Sequence, residues 1–452
     1  MKDLTVGKEG RLIFNFALPI LLGNVFQILN TIIDSIIVGN FLGKTSVAAV
    51  GVSFPVLFAL ISLIIGITGG ITIIISQYFG AKNFDAVKRA TDTAFIFLFF
   101  SSLIISIIGL IFCRQIFVFL DLPAEVMPEA LTYLRIYLSG TILMAGFQGV
   151  NAVLRGMGDS KTPLYFMIIA TLLNIVLELI FIPIFKMGIE GAAIAAVTSQ
   201  AIAFFIATLY LNKKHKYIRI SFLRIYFDKE IFYQSLRIGL PSGLQQTFVA
   251  LGMMAVTKLV NRFGTETIAA FTIAGRIDSF ATLPAMNFSM ALMTFVGQNL
   301  GAGKPERVKR GYLKTHLMTG LISLFMSGLI LLFSTPIMSA FTNDPEVIQI
   351  GSNYLIIVCS FYLLFSMMFV NTGVFRGAGD TLIPMFFTLF SLWLIRIPLA
   401  YFLAERIGVN GIWWSMPIAW FTGMIISFIY YFKGNWKKKV VVKQAFIEET
   451  TL

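Results

Sequence analysis

Charge is what this sequence lacks most. Only 13% of its 452 residues are Asp, Glu, Lys or Arg, about half the share of a soluble domain. That excludes a protein whose whole surface meets water. Cysteine is nearly absent too. Cys113 and Cys359 stand far apart, each in or beside an apolar run. They give no disulfide framework and no metal-ligand spacing, and read as inert buried thiols. Histidine is equally scarce, with His215 in a polar stretch and His316 at the edge of an apolar one. No cluster for general-base or metal chemistry can be assembled from two separated rings. The opening residues "MKDLTVGKEGRLIF" lack the short apolar core and small-residue site of a cleaved signal. They lead straight into the first apolar run.

What is present is hydrophobic, at 57% of the chain with 45 Phe. Apolar runs of about 20 residues recur along the whole length, the signature of membrane-spanning helices. The pattern predicts twelve spans, at 12–39, 48–76, 91–112, 130–154, 163–186 and 190–212, then 233–260, 267–296, 312–334, 351–375, 383–405 and 410–433. An even number places both termini on one side. Most of the 35 basic residues fall on that side. They include Lys2, Lys8 and Arg11, the run "NKKHKYIRISFLRIYFDKE", the loop "GKPERVKRGYLK" and the tail "KGNWKKK". Cytoplasmic loops carry the Lys and Arg excess, so both termini are expected in the cytoplasm of a multi-pass cell-membrane protein. The net charge of +13 is then an orientation signal facing anionic lipid, not a nucleic-acid surface.

The chain also writes itself twice. "LRGMGDSKTP" at 154–163 returns as "FRGAGDTLIP" at 375–384, an offset of 221 from Arg155 to Arg376. "SQYFGAKNFDAVKRA" at 76–90 matches "GQNLGAGKPERVKRG" at 297–311 with the same offset. Two parallel six-helix repeats result, each entering from the same side. The expected division is 1–212 for the first lobe, 213–232 for a connector, 233–440 for the second lobe and 441–452 for a tail. The G-x-G-D strings invite a phosphate loop or an intramembrane aspartyl protease. A phosphate loop needs a preceding strand, and none is predicted. A protease needs one such Asp facing a partner Asp, not two symmetric turns at the membrane edge. Arg155, Gly156, Gly158 and Asp159, with Arg376, Gly377, Gly379 and Asp380, therefore read as a structural turn. In it glycine permits the reversal and Asp meets the next helix start, ahead of Pro163 or Pro384.

Ionisable side chains inside spans are costly and mark function by default. Asp34 and Glu178 each sit roughly eight residues from the outer end of their span, about 12 Å deep at the helical rise. Asn174 precedes Glu178 by four residues, on the same helix face. Asp34, Asn174 and Glu178 thus form a candidate proton or cation site, the competing reading being a polar group that only packs helices. In the second lobe Asp278 and Arg396 fall near mid-span, with Arg276 shallower. Opposite charges at one depth predict an ion pair.

Taken together, "FALPILLGNVFQILNTIIDSIIVGNFLG", "SQYFGAKN", "LRGMGDSKTP", "NIVLELIFIP", "GQNLGAG" and "FRGAGDTLIP" resemble the multidrug and toxic compound extrusion (MATE) family over nearly the whole chain. The resemblance implies an all-α membrane fold, two six-helix lobes around a central cavity. It also implies secondary active export of organic cations and other amphipathic compounds in exchange for H⁺ or Na⁺. In one branch an Asp in span 1 joins an Asn and an acid four residues apart in span 5, matching Asp34, Asn174 and Glu178, with Glu here replacing the commoner Asp. Sodium-binding relatives carry Thr where this chain has Ala196, and Thr198 is turned away by about 200° on the helix. That favours H⁺ and leaves Na⁺ open. Another branch keeps acids in spans 7 and 10, and this chain has none there. The expected protein is a monomer without cofactor, its partners small amphipathic or cationic molecules and membrane lipid. A lipid-linked precursor flippase of the same superfamily is the alternative, though its pyrophosphate calls for a cationic cavity. A membrane enzyme is more remote, because no nucleophile motif or cofactor loop is present.

Overall fold

The computed structural model describes residues 2–120, 122–214, 218–220 and 226–442. His215 and most of the tail lie outside the described residues. Among those described, every regular element is helical. This is the arrangement lipid demands, because each backbone N–H and C=O must be satisfied within its own segment.

The first half runs α1 (Glu9–Leu42), α2 (Lys44–Gly80), α3 (Phe84–Phe119), α4 (Met127–Ser139), α5 (Thr141–Gly156), α6 (Lys161–Phe181) and α7 (Gly188–Lys214). α4 and α5 together make one span, bent by 50°. The bend falls at Gly140, where a Cβ would lie 2.3 Å from a Val197 methyl. The second half runs α8 (Lys229–Val260), α9 (Thr265–Gly301), α10 (Pro305–Ser339), α11 (Pro345–Cys359) and α12 (Tyr362–Gly377). α11 and α12 repeat the bent span, at 49°. α13 (Leu382–Leu389), a π-helical stretch at Phe390–Arg396 and α14 (Ile397–Ile407) form the next span, followed by α15 (Val409–Lys433). Pro398 lacks the N–H that would close on the Leu394 carbonyl, which loosens the ladder where the π stretch ends. The matching helix of the first half, α6, is uninterrupted.

Nine of these segments are individually long and apolar enough to cross a membrane, and the two bent pairs add one span each. α8 is the twelfth. Its 32 residues are long enough to cross, while Lys229, Glu230, Gln234 and Arg237 make its opening turns polar. The fold is an integral membrane bundle of 12 transmembrane helices in two six-helix repeats.

By contact the chain parts within α1 and α8 and not at the connector 213–232. One compact unit holds Leu18–Gln246, and the other joins Leu4–Ala17 to Thr247–Leu452. The reason lies in packing inside each unit. Gly239 and Gly243 of α8 press onto α2, where a Cβ on Gly66 would fall 2.1 Å from the Gly243 nitrogen. In the second unit the lead-in to α1 is tied down by polar contacts. Gln298 accepts the Leu4 N–H at 2.9 Å, and Asn299 donates to the Leu4 carbonyl at 3.2 Å. Glu9 sits among Arg307, Arg310 and Lys314 at 3.0–3.2 Å.

The two G-x-G-D turns are built alike. Gly158 and Gly379 take positive φ, 81° and 93°, which favours glycine. A Cβ on Gly156 would meet the Thr72 carbonyl and Ile75 of α2. A Cβ on Gly377 would meet Met293 and Val296 of α9, residues again offset by 221. Asp159 accepts the Thr162 N–H at 3.0 Å and its hydroxyl at 2.7 Å, capping α6. Asp380 instead takes the hydroxyl of Tyr430 on α15. Arg155 and Arg376 are both partly buried beside these turns.

Candidate cation site

The first unit gathers its polar atoms between α1 and α6. Helical spacing puts Asn30 one turn before Asp34 and Asn174 one turn before Glu178, so each helix presents a carboxamide and a carboxylate on one face. The Asn30 amide donates to Asp34 Oδ2 at 3.3 Å and to Asn174 Oδ1 at 3.1 Å. The Asn174 amide in turn donates to Glu178 Oε1 at 2.9 Å. Asn174 and Glu178 are buried, Glu178 to 1% exposure, while Asn30 and Asp34 are partly buried. Asp34 and Glu178 are thus joined through the two carboxamides, Asn30 and Asn174.

Three oxygens are left over. Asn30 Oδ1, Asp34 Oδ1 and Glu178 Oε2 are buried without any hydrogen-bond donor among the described residues. A buried acceptor without a donor costs roughly 1–3 kcal/mol, more when charged, so the cluster is short of positive charge or protons. Apolar packing closes it in. Ile37, Val38, Ile182 and Ala192 form a buried cluster with Ile33, Ile175 and Tyr133 against it. Ala196 lies one turn beyond Ala192 on α7 and has no side-chain oxygen to add. The structure brings Asp34, Asn174 and Glu178 together and adds Asn30. Sequence reasoning missed Asn30, although its four-residue spacing from Asp34 copies that of Asn174 and Glu178.

The second unit arranges its charges differently. Asp278 and Arg396 do not form the expected ion pair. Asp278 Oδ1 accepts the Tyr362 hydroxyl at 2.8 Å, and Arg396 directs Nη1 at the Met253 sulfur at 3.8 Å. A neutral hydroxyl from the α11–α12 bend meets the carboxylate, and α8 meets the guanidinium. Arg276 is exposed and takes no part. Cys113 and Cys359 are free and buried, with the Cys359 thiol donating to Tyr362 at 3.1 Å. His316 shares the Asn371 carbonyl oxygen with Tyr312 and stacks on Phe428, which makes it part of the helix packing.

The family model for MatE matches residues 19–180 and again residues 241–402, once in each repeat. The chain belongs to the MatE family. This MatE protein is 32% identical to the probable multidrug resistance protein YpnP of Bacillus subtilis, covering 96% of this chain and 97% of that one. It is 26% identical to an FAD transporter of Shewanella oneidensis, covering 92% and 94%. A solved structure described as the outward-facing conformation of a multidrug resistance MATE family transporter superposes with a TM-score of 0.90. That match is at 25% identity over 97% of this chain and 99% of that one. The protein is thus a multi-pass membrane transporter of small molecules and not an enzyme.

Proposed function

We propose that this MatE protein exports amphipathic organic cations in exchange for H⁺ taken up at Asp34 and Glu178. The observation that carries the reading is the trio of buried oxygens without donors at Asn30, Asp34 and Glu178. Two carboxylates joined through the Asn30 and Asn174 amides cannot both stay ionised cheaply in a low-dielectric bundle, so one proton held by the cluster restores a missing donor. Na⁺ is the competing occupant. It would draw on the same oxygens, but Ala196 supplies no further ligand, and a hard cation needs several. The first unit is therefore acidic when empty and suits an organic cation. Uptake of the coupling ion removes that negative charge, and the cargo loses its partner as the two repeats alternate their access. Basic loops at both termini orient the chain with its ends in the cytoplasm of the cell membrane, and a cytoplasm-dependent reporter fused after Lys439 should be active. A monomer is sufficient for this cycle. Uptake of a fluorescent cation into inside-out vesicles, with H⁺ and Na⁺ gradients imposed separately, tests the reading. Accumulation should follow the H⁺ gradient, and dependence on Na⁺ alone would reject the choice of ion.

A further inference from the structure

The second unit has an apolar cavity of about 440 Å³ on the span that carries the π-helical stretch. Phe386, Phe387, Phe390, Trp393 and Leu394 line it, together with Ile426 of α15. Its size suits a small molecule, but such pockets use a few polar groups to orient what they hold. Here the lining side chains are aromatic or aliphatic. The one indole N–H among them is turned to the protein, donating to the Phe248 carbonyl at 3.1 Å. Phe387 is held as well, edge-on to the Tyr430 ring at 5.7 Å. Leu382, Phe386, Phe390 and Leu394 are exposed at four-residue intervals. In an α-helix that spacing drifts by about 40° at each step. The wider π turn winds the last step back, which keeps the stripe in line.

Positive charge stands above the cavity at the end of α15. Ile426, Tyr430 and Lys433 follow one another at four and three residues, so they share a helix face. Lys433 lies about 10 Å beyond Ile426 along the axis and is exposed. Gly434 then takes φ 72° and turns the chain into a short 3₁₀ helix at Asn435–Lys439. Trp436 is buried, stacks on Tyr431 at 5.6 Å and donates its indole N–H to the Tyr431 carbonyl at 3.1 Å. The turn is therefore folded back on α15, with Lys437, Lys438 and Lys439 exposed. No Asp or Glu occurs in α13, the π stretch, α15 or this turn. Asp380, just before α13, is already taken by the Tyr430 hydroxyl.

We infer that this face of the second unit binds an anionic phospholipid, with an acyl chain in the cavity and the headgroup on Lys433 and the Lys437–Lys439 turn. A lipid tail is as apolar as the side chains it would touch. It gains little by leaving other tails, so the cavity alone selects no headgroup. Selection falls to the lysines, because each basic residue near the surface attracts an anionic headgroup. A lipid of no net charge fills the cavity without that attraction. Neither the cargo nor the ion coupling at Asp34 enters this inference.

The test uses the full-length protein in phosphatidylcholine vesicles holding a trace of photoreactive lipid. The probe is phosphatidylglycerol or phosphatidylcholine with a diazirine on its acyl chain, and mass spectrometry locates the labelled peptides. The exposed stripe of α3 at Ile104–Phe112 serves as the reference for ordinary lipid contact. Relative to it, the phosphatidylglycerol probe should label Phe386–Leu394 about fivefold more than the phosphatidylcholine probe, the factor expected of one lysine. Combining Lys433→Gln, Lys437→Gln, Lys438→Gln and Lys439→Gln should bring that ratio close to one and leave phosphatidylcholine labelling as it was. Equal labelling by the two probes in wild type would overturn the inference. So would an absence of label at Phe386–Leu394, or a ratio that survives loss of the lysines. If the fourfold variant does not fold, Lys433→Gln alone decides, and its ratio should fall below that of wild type.

Discussion

Asn30 joins the two acidic helices of the first unit, donating to Asn174 on α6 at 3.1 Å and to Asp34 on its own helix at 3.3 Å. It fixes which Asp34 oxygen is satisfied and which is left for the proposed coupling ion. Asn30→Leu leaves Asp34 without its amide donor, a loss of roughly 1.5–3 kcal/mol for a hydrogen bond to a charged group. Proton-driven uptake in vesicles should fall about tenfold or more, with expression maintained. Unchanged uptake would show that the amide has no part in the site.

In the second unit the hydroxyl of Tyr362, not Arg396, satisfies Asp278. Tyr362→Phe strands a carboxylate oxygen and should lower stability by about 1–3 kcal/mol, read as a drop in the melting temperature of the detergent-solubilised protein. The charge exchange Asp278→Arg with Arg396→Asp should melt no higher than the worse single variant, because no ion pair is there to be rebuilt. Recovery of the melting temperature in the double variant would contradict the observed geometry.

Glu9 makes the lead-in of α1 sensitive to acid. Burial opposes its ionised form, but its own backbone N–H together with Lys314 and Arg307 outweighs that and holds the carboxyl at about 2, below the ordinary 4.5. A depressed carboxylate contributes stability that is fully present above its unfolded value and is lost as pH falls through its folded value. Hydrogen-exchange protection of residues 4–17, corrected for intrinsic rate, should stay level down to about pH 4.5 and decline towards pH 2. In Glu9→Gln that decline should vanish and protection should be low at every pH.

Much of this was legible before the structure. The doubled motifs located both repeats, and Asp34, Asn174 and Glu178 stood out because polar side chains are rare in an apolar run. Depth could be counted along a helix at 1.5 Å per residue, and the counting did place Asp34 and Glu178 together. The same counting misled for Asp278 and Arg396. Height along two helices says nothing of the direction each side chain takes around its axis, and a neutral Tyr362 on the α11–α12 bend reached Asp278 instead. Asn30 escaped notice because it is uncharged. The bend at Gly140 carried a weak sequence signal, a glycine inside an apolar run, whereas the π stretch at Phe390–Arg396 carried only Pro398 beyond its end. The exchange of Leu4–Ala17 into the second unit depends on contacts with Gln298, Asn299 and Arg307, which lie about 300 residues away in sequence. No local pattern encodes such a contact.

On the proposed reading, Asp34 and Glu178 carry the ion that drives export. The deciding experiment is uptake of a fluorescent organic cation, driven by an imposed pH gradient, into inside-out vesicles holding the Asp34→Asn protein. The substitution keeps the shape of the side chain and removes its charge. Uptake should be abolished while the protein stays folded and monodisperse, with Glu178→Gln partly active and Glu178→Asp closest to wild type. Wild-type rates from Asp34→Asn would contradict the account and take the first-unit site out of the transport cycle.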